Sequence, residues 1–206
     1  MRGTAHAIIG GSAGALLAAA IHQPVLPLAL CGAGAGLLPD IDHPYSALGR
    51  YVPWPTATGP ENHRTGFVAH GRRWFGGRTV WHRGETHSVG AAAIAGAAAG
   101  GITVGVSAWV RAHAGAGILA VLARAGLHPH PWAAGASVAA AVLSGYVSHL
   151  VADTANRSPQ MLWWPMRRRL VHAPWKGVKE ASTAGHLVEV AAAGLAALAA
   201  VAMLAH

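Results

Sequence analysis

Residues 88–110 read SVGAAAIAGAAAGGITVGVSAWV, 23 positions without one charged side chain. A helix rises about 1.5 Å per residue, so this run can cover the roughly 30 Å hydrocarbon core of a bilayer. Ala and Gly are only weakly apolar, and the buried core helix of a soluble protein would read much the same. Working outward, residues 132–152 and 187–205 form two more runs of this kind. Residues 5–21 sit at the lower limit of length for a span. Residues 25–38 are shorter and carry Pro27, which leaves tilting, bilayer thinning or a turn-back open. Residues 115–126, interrupted by Arg124, read as an interfacial or loop helix. Across all 206 residues, 53% are hydrophobic and 11% charged, against about 25% charged in a soluble domain. That balance excludes a disordered tail and makes a conventional soluble enzyme a poor reading. With Cys31 as the only cysteine, a disulfide scaffold is excluded as well. The expected fold class is all-α: an integral-membrane helical bundle of about five spans.

The basic residues give the expected sidedness. Arg50, Arg64, Arg72, Arg73, Arg78 and Arg83 fall in the loop that follows the second apolar run. Arg157, Arg167, Arg168, Arg169, Lys176 and Lys179 fall in the loop before the last run. The loop between them holds only Arg111 and Arg124. Lys and Arg concentrate in cytoplasmic loops, so both rich loops belong inside, with two spans between them. Arg2 places the N-terminus inside and leaves the C-terminus outside. Trp109 and Trp132 bracket the outer loop, while Trp81, Trp163, Trp164 and Trp175 lie in or beside the inner ones, as interfacial anchors do. A cleaved signal peptide ending near Ala18-Ala19-Ala20 is the competing reading of the N-terminus, and it would discard His6.

In this topology the unusual polar residues gather at the cytoplasmic ends of the spans. His6 enters the first. Pro39-Asp40-Ile41-Asp42-His43 ends the second. His82-Arg83-Gly84-Glu85-Thr86-His87-Ser88 enters the third. His149 and Asp153 close the fourth, and His186 and Glu189 open the fifth. Five of the seven acids belong to this set. Ionisable groups at membrane depth are costly, and they pair, line a wet cavity or bind an ion. Imidazoles and carboxylates converging from several helices supply the ligands of a divalent metal. His149 and Asp153 are four apart and share one helix face. Asp40 and Asp42 alternate in a turn that can point both carboxylates the same way. His82 and His87 flank a bend at Gly84.

Each piece has an ordinary alternative. A His-x-x-x-Asp pair is often only hydrogen-bonded, Asp-x-Asp in a turn is often a cap, and Glu85 or Glu189 can simply face a helix N-terminus. The shared end of five helices is what favours a metal.

The same residues carry a resemblance. Leu37-Leu38-Pro39-Asp40-Ile41-Asp42-His43-Pro44 with Leu48-Gly49, His82-Arg83-Gly84 with Thr86-His87-Ser88, and Gly145-Tyr146-Val147-Ser148-His149-Leu150-Val151-Ala152-Asp153 with Leu162-Trp163-Trp164-Pro165 resemble the LexA-binding, inner-membrane-associated metal-dependent hydrolases (YdjM-like). The similarity runs over nearly the whole chain, read as a single membrane-embedded hydrolase-like domain, 1–206. That family is itself distantly similar to zinc-dependent phospholipase C and P1-type nucleases. This chain departs from the pattern at Thr154-Ala155-Asn156-Arg157-Ser158, at His186, and in a longer loop over residues 51–78.

Residues and resemblance together lead to an expected chemistry of metal-dependent hydrolysis of a phosphoester. The expected metal ligands are Asp42, His43, His87, His149 and Asp153, with His6, His82 and Glu189 in support. Asp40, a further candidate ligand, or Glu85 would relay the proton, and Arg83 would neutralise an anionic oxygen. Zinc is the expected ion, one or two or more per chain, with Mn or Fe as alternatives. The expected partners are membrane lipids, an anionic or phosphoester substrate and, from the resemblance alone, a cytosolic LexA-like protein; nucleic acid is not expected. The expected location is the bacterial inner membrane, multi-pass, with the active site cytoplasmic. The alternative is a non-catalytic membrane anchor or regulator linked to DNA damage. An ion or proton transporter fits poorly, because its site would lie near the midplane. There is no Gly-x-Ser-x-Gly elbow, Walker-type loop or His-Glu-x-x-His motif.

Overall fold

The structure, a computed structural model, describes residues 3–43, 45–52, 56–62, 67–73, 79–81, 83–124, 130–154, 160–166 and 194. The expected fifth span, residues 187–205, and the second basic loop beyond residue 166 lie outside the described residues. Helix α1 spans Gly3–Ala20 and α2 spans Val25–Ala35. They form an antiparallel hairpin closed by His22, which takes a left-handed φ of 51°. The amides of His22 and Gln23 then satisfy the carbonyls of Ala19 and Ala18, at 3.2 and 2.8 Å. This is the Schellman ending, with a histidine where glycine is usual.

Pro27 does not break α2, because it lies in the first turn, where its missing N–H would have no helical acceptor. Beyond Ala35 the chain tightens rather than stops. Leu37, Leu38 and Ile41 donate to the carbonyls three residues back, at 3.0–3.1 Å, leading into the 3-10 helix Pro39–Asp42. Val25–Asp42 is thereby 18 residues long, enough to cross a membrane.

Helix α3, Val89–His113, begins at Ser88, whose hydroxyl accepts from the Ala91 amide at 3.0 Å and donates to the Glu85 carbonyl at 2.5 Å. Helix α4, Ala116–Arg124, has nine residues and is too short to span. Helix α5, Pro131–Asp153, starts with a proline at its first turn. Among the described residues, four segments are long and apolar enough to cross a membrane: Gly3–Ala20, Val25–Asp42, Val89–His113 and Pro131–Asp153. The bundle is helical, as expected.

One element was not expected. Within the long first loop, β1 (Thr56–Asn62), β2 (Phe67–Arg73) and β3 (Thr79–Trp81) form an antiparallel sheet in the order β1-β2-β3. The β1–β2 register slips between Thr58 and Glu61, the place occupied by Gly59 and Pro60. Proline has no amide to give a ladder and is tolerated at such bulges.

Helix α5 is the centre of the bundle and packs against α1, α2 and α3. The approach of α1, α2 and α5 is close because glycine meets glycine. A β-carbon at Gly145 would run into the carbonyl of Gly32, and one at Gly32 into that of Gly10. Without a hydrophobic drive between helices in lipid, such close backbone contact is a main source of cohesion. Leu26, Leu30, Ile94, Ile102, Val106 and Val151 face outward, toward the place lipid would occupy.

Candidate metal centre

The polar residues meet at one end of the bundle, where α1 and α3 begin and where α5 and the segment continuing α2 finish. The last turn of α5 contributes His149 and Asp153, stacked four residues apart, with His149 Nε2 3.8 Å from Asp153 Oδ2. His149 Nδ1 lies 2.7 Å from the carbonyl oxygen of Gly36 at the end of α2. A carbonyl only accepts, so Nδ1 carries the proton and Nε2 turns a lone pair inward.

The segment before α3 brings in His87 and Arg83. Its shape is set by several backbone ties. The His87 amide donates to the Gly84 carbonyl at 3.1 Å, Met161 to the Arg83 carbonyl at 3.1 Å, and Val89 to the Leu162 carbonyl at 2.9 Å. The Tyr146 hydroxyl donates to the Thr86 carbonyl. The chain bends at Gly84, as expected, and the residue before it, Arg83, takes a φ of 64°, a left-handed conformation uncommon for a residue with a β-carbon.

His87 Nε2 lies 3.3 Å from His149 Nε2, 3.4 Å from Asp40 Oδ1 and 3.6 Å from Asp153 Oδ2. His149 Nε2 is 3.7 Å from the same Asp40 oxygen. Metal–ligand bonds of 2.0–2.2 Å around a tetrahedral ion put neighbouring ligand atoms about 3.3–3.6 Å apart. The separations of 3.3–3.7 Å among His87, His149 and Asp40 therefore have nearly the size that three ligands of one divalent ion require, and Asp153 Oδ2 flanks the two imidazoles. His6 of α1 enters from the other side. Its ring stacks on His149 with centroids 3.7 Å apart, and its Nε2 is 3.4 Å from Asp153 Oδ1. His6 Nδ1 is buried with no hydrogen-bond partner among the described residues. Among the described residues, two sets of side chains could hold a metal ion: His6, His149 and Asp153, and Asp40, His87 and His149. They share His149, whose single inward nitrogen can serve one ion. Asp153 turns Oδ1 toward His6 and Oδ2 toward His87, and Arg83 Nη2 lies 3.1 Å from that Oδ2. Arg83 is itself buried.

The other expected site residues divide as follows. Asp42 is buried and accepts the Thr86 hydroxyl at 2.5 Å, one step behind His87. His43 accepts the Tyr45 amide on Nδ1 at 3.3 Å and packs edge-on to the Tyr45 ring, and it belongs to neither of the two sets. Glu85 holds Ser88 through its backbone carbonyl. His82 and Glu189 lie outside the described residues. Asp40, first expected as a proton relay, stands among the possible ligands.

Sequence reasoning did not single out three contributors. The Gly36 carbonyl has no side-chain signal at all. Tyr146 lies three residues before His149 on the same helix face and was legible in principle. Thr86 was a hydroxyl inside an already suspicious stretch.

No curated protein and no solved structure matches the chain. The model of the YdjM inner membrane protein family matches residues 1–206, and the chain belongs to that family.

Proposed function

We propose that this protein is a membrane-bound metal-dependent hydrolase of phosphoesters, acting on a lipid-like substrate at the cytoplasmic face. The observation that supports it most is the convergence of Asp40, His87 and His149, whose ligand atoms lie 3.3–3.7 Å apart, beside the buried His6 and Asp153. Carboxylates and imidazoles gathered this closely inside a membrane bundle pair, line a wet cavity or bind an ion. Arg83 pairs with Asp153, and Asp40, His87 and His149 form a set that could hold an ion. Imidazole nitrogens gathered with carboxylate oxygens suit zinc, with manganese or iron as alternatives. Such an ion, once bound, lowers the pKa of water to about 7 and polarises the oxygen under attack.

The chain's own residues supply the rest. Arg83, beside Asp153, is placed to balance negative charge gathering on a phosphoryl oxygen. The Asp40 side chain keeps 15% of its surface exposed, whereas Asp153 keeps 2%, so Asp40 marks the open side of the cluster. Glu85, which belongs to neither ligand set, takes up the proton as the water oxygen bonds to phosphorus and returns it to the departing ester oxygen as the P–O bond breaks. The basic first loop favours an anionic headgroup at this face.

Elemental analysis of the full chain in detergent is the direct test. Stoichiometric transition metal is expected, together with chelator-sensitive cleavage of an aryl phosphodiester or of a phospholipid in mixed micelles. His149→Ala combined with Asp153→Ala should lose both metal and turnover. A wild-type protein free of metal, or a double variant that keeps its metal, would overturn the assignment.

A cytosolic protein partner of the LexA type is a second reading, favoured by the three-stranded sheet in the basic loop, since a sheet edge can accept an added strand. Binding of a purified LexA-type repressor should then survive chelation and disappear when residues 56–81 are replaced by a short Gly-Ser linker. Binding that survives this replacement would overturn it.

A further inference from the structure

We infer that Thr86 is a positioning residue, the middle of a relay Asp42–Thr86–His87 that fixes which nitrogen of His87 faces the metal cluster. The inference rests on the metal-centre reading above and explains a buried carboxylate and a half-buried hydroxyl that reading leaves without a task.

The chemistry follows from counting protons. The Thr86 hydroxyl has one hydrogen and lies 2.5 Å from Asp42 Oδ2. A carboxylate only accepts, so the hydroxyl hydrogen points to Asp42. The same hydroxyl oxygen lies 3.3 Å from His87 Nδ1. With its hydrogen committed, it can only accept there, and the proton on that contact must belong to His87 Nδ1. Nε2 is then left as a lone pair, directed at His149, Asp40 and Asp153. The Gly36 carbonyl imposes the same tautomer on His149. The two inward nitrogens are thus set by unrelated devices, a helix-end carbonyl for one and a hydroxyl backed by a carboxylate for the other. Outer partners of this kind orient ligating histidines and raise their basicity. The relay is held in place from behind, because the Tyr146 hydroxyl donates to the carbonyl of Thr86 itself. Asp42 therefore acts through His87 rather than on the ion.

The test uses the full chain in detergent, with Thr86→Val, Thr86→Ser and Asp42→Asn. Val keeps the shape of Thr and removes the hydroxyl; Ser keeps the hydroxyl. Zinc affinity is measured by chelator competition, and the tautomer by ¹⁵N chemical shifts of selectively labelled histidine in metal-free protein. Thr86→Val should weaken zinc binding by roughly tenfold to a hundredfold and move His87 away from the Nδ1–H form, while Thr86→Ser should retain both. Asp42→Asn should weaken zinc binding similarly, and it carries the test if Thr86→Val fails to give monodisperse protein. Wild-type affinity and an unchanged tautomer in Thr86→Val, or in Asp42→Asn where that variant carries the test, would overturn the relay. A wild-type protein that binds no zinc defeats the metal-centre reading instead, and the ¹⁵N shifts then still report on the relay.

Discussion

Arg83 carries two costs at once, a φ of 64° and a buried guanidinium. Residues held in such conformations persist where the surroundings over-determine them, and they cluster at functional sites. Here the Met161 amide grips the Arg83 carbonyl, and Asp153 receives the guanidinium. Replacing Arg83 with Gly removes the backbone cost along with the charge, so a folding role and a chemical role separate. Arg83→Gly and Arg83→Gln should both keep bound metal and both lose roughly 100-fold to 1,000-fold in turnover. Metal content and phosphodiesterase rate, measured on the same preparations, check this. Full turnover in Arg83→Gly would reduce the arginine to a structural counter-ion.

At this scale the sequence showed which residue types collect at one end, but not their aim. Asp40 and Asp42 were expected to point the same way. They lie in a 3-10 helix, with about three residues per turn. Residues two apart are then some 120° apart around the axis. Asp40 faces the imidazoles, and Asp42 faces Thr86.

Among the elements, α2 couples packing to chemistry most directly. Gly36 has no room for a side chain, because a β-carbon there would sit 2.5 Å from the His6 carbonyl, and its own carbonyl holds His149. Gly36→Ala must therefore push the end of α2 away from α1 and slacken the contact to His149. Overpacking of this kind costs about 1–3 kcal/mol. A lower unfolding midpoint in detergent together with weaker metal binding is expected, whereas Gly101→Ala, which meets nothing within 4 Å, should leave both essentially unchanged. An unaltered midpoint and affinity in Gly36→Ala would mean that the helix end is free to adjust.

The helices were legible because their apolar runs are long and nearly uncharged. The reach of α2 was harder to read, since a short run with Pro27 left tilting, thinning or a turn-back open and the 3-10 continuation through Asp42 depends on backbone bonds that no composition reveals. The sheet was illegible for a different reason. The β1 stretch TATGPEN contains Gly59 and Pro60, which read as loop residues and are accommodated only by the bulge.

For the molecule as a whole, the meeting of His6, Asp40, His87 and Asp153 is a statement about topology. His6 lies near the start of α1 and His87 just before α3, while Asp40 lies near the end of the segment continuing α2 and Asp153 at the end of α5. Among the described residues, four long helical segments that alternate in direction bring all of these ends to one side. The loop that joins the segment continuing α2 to α3 on this side carries Arg50, Arg72 and Arg73, and the opposite end of α3 carries Arg111. This asymmetry was available from the sequence because loop charge and span parity are one-dimensional properties. The depth and facing of each imidazole are three-dimensional and were not. The positive-inside tendency then predicts the orientation. With Cys31 replaced by Ala, Tyr51→Cys and Gly115→Cys each place one thiol at an exposed position, on the site end and on the far end respectively. A membrane-impermeant maleimide should label Gly115→Cys in spheroplasts and reach Tyr51→Cys only after permeabilisation. The reverse pattern would put the metal cluster on the outer face, where its substrates would be periplasmic and the pairing of basic loops with the cytoplasmic side would fail.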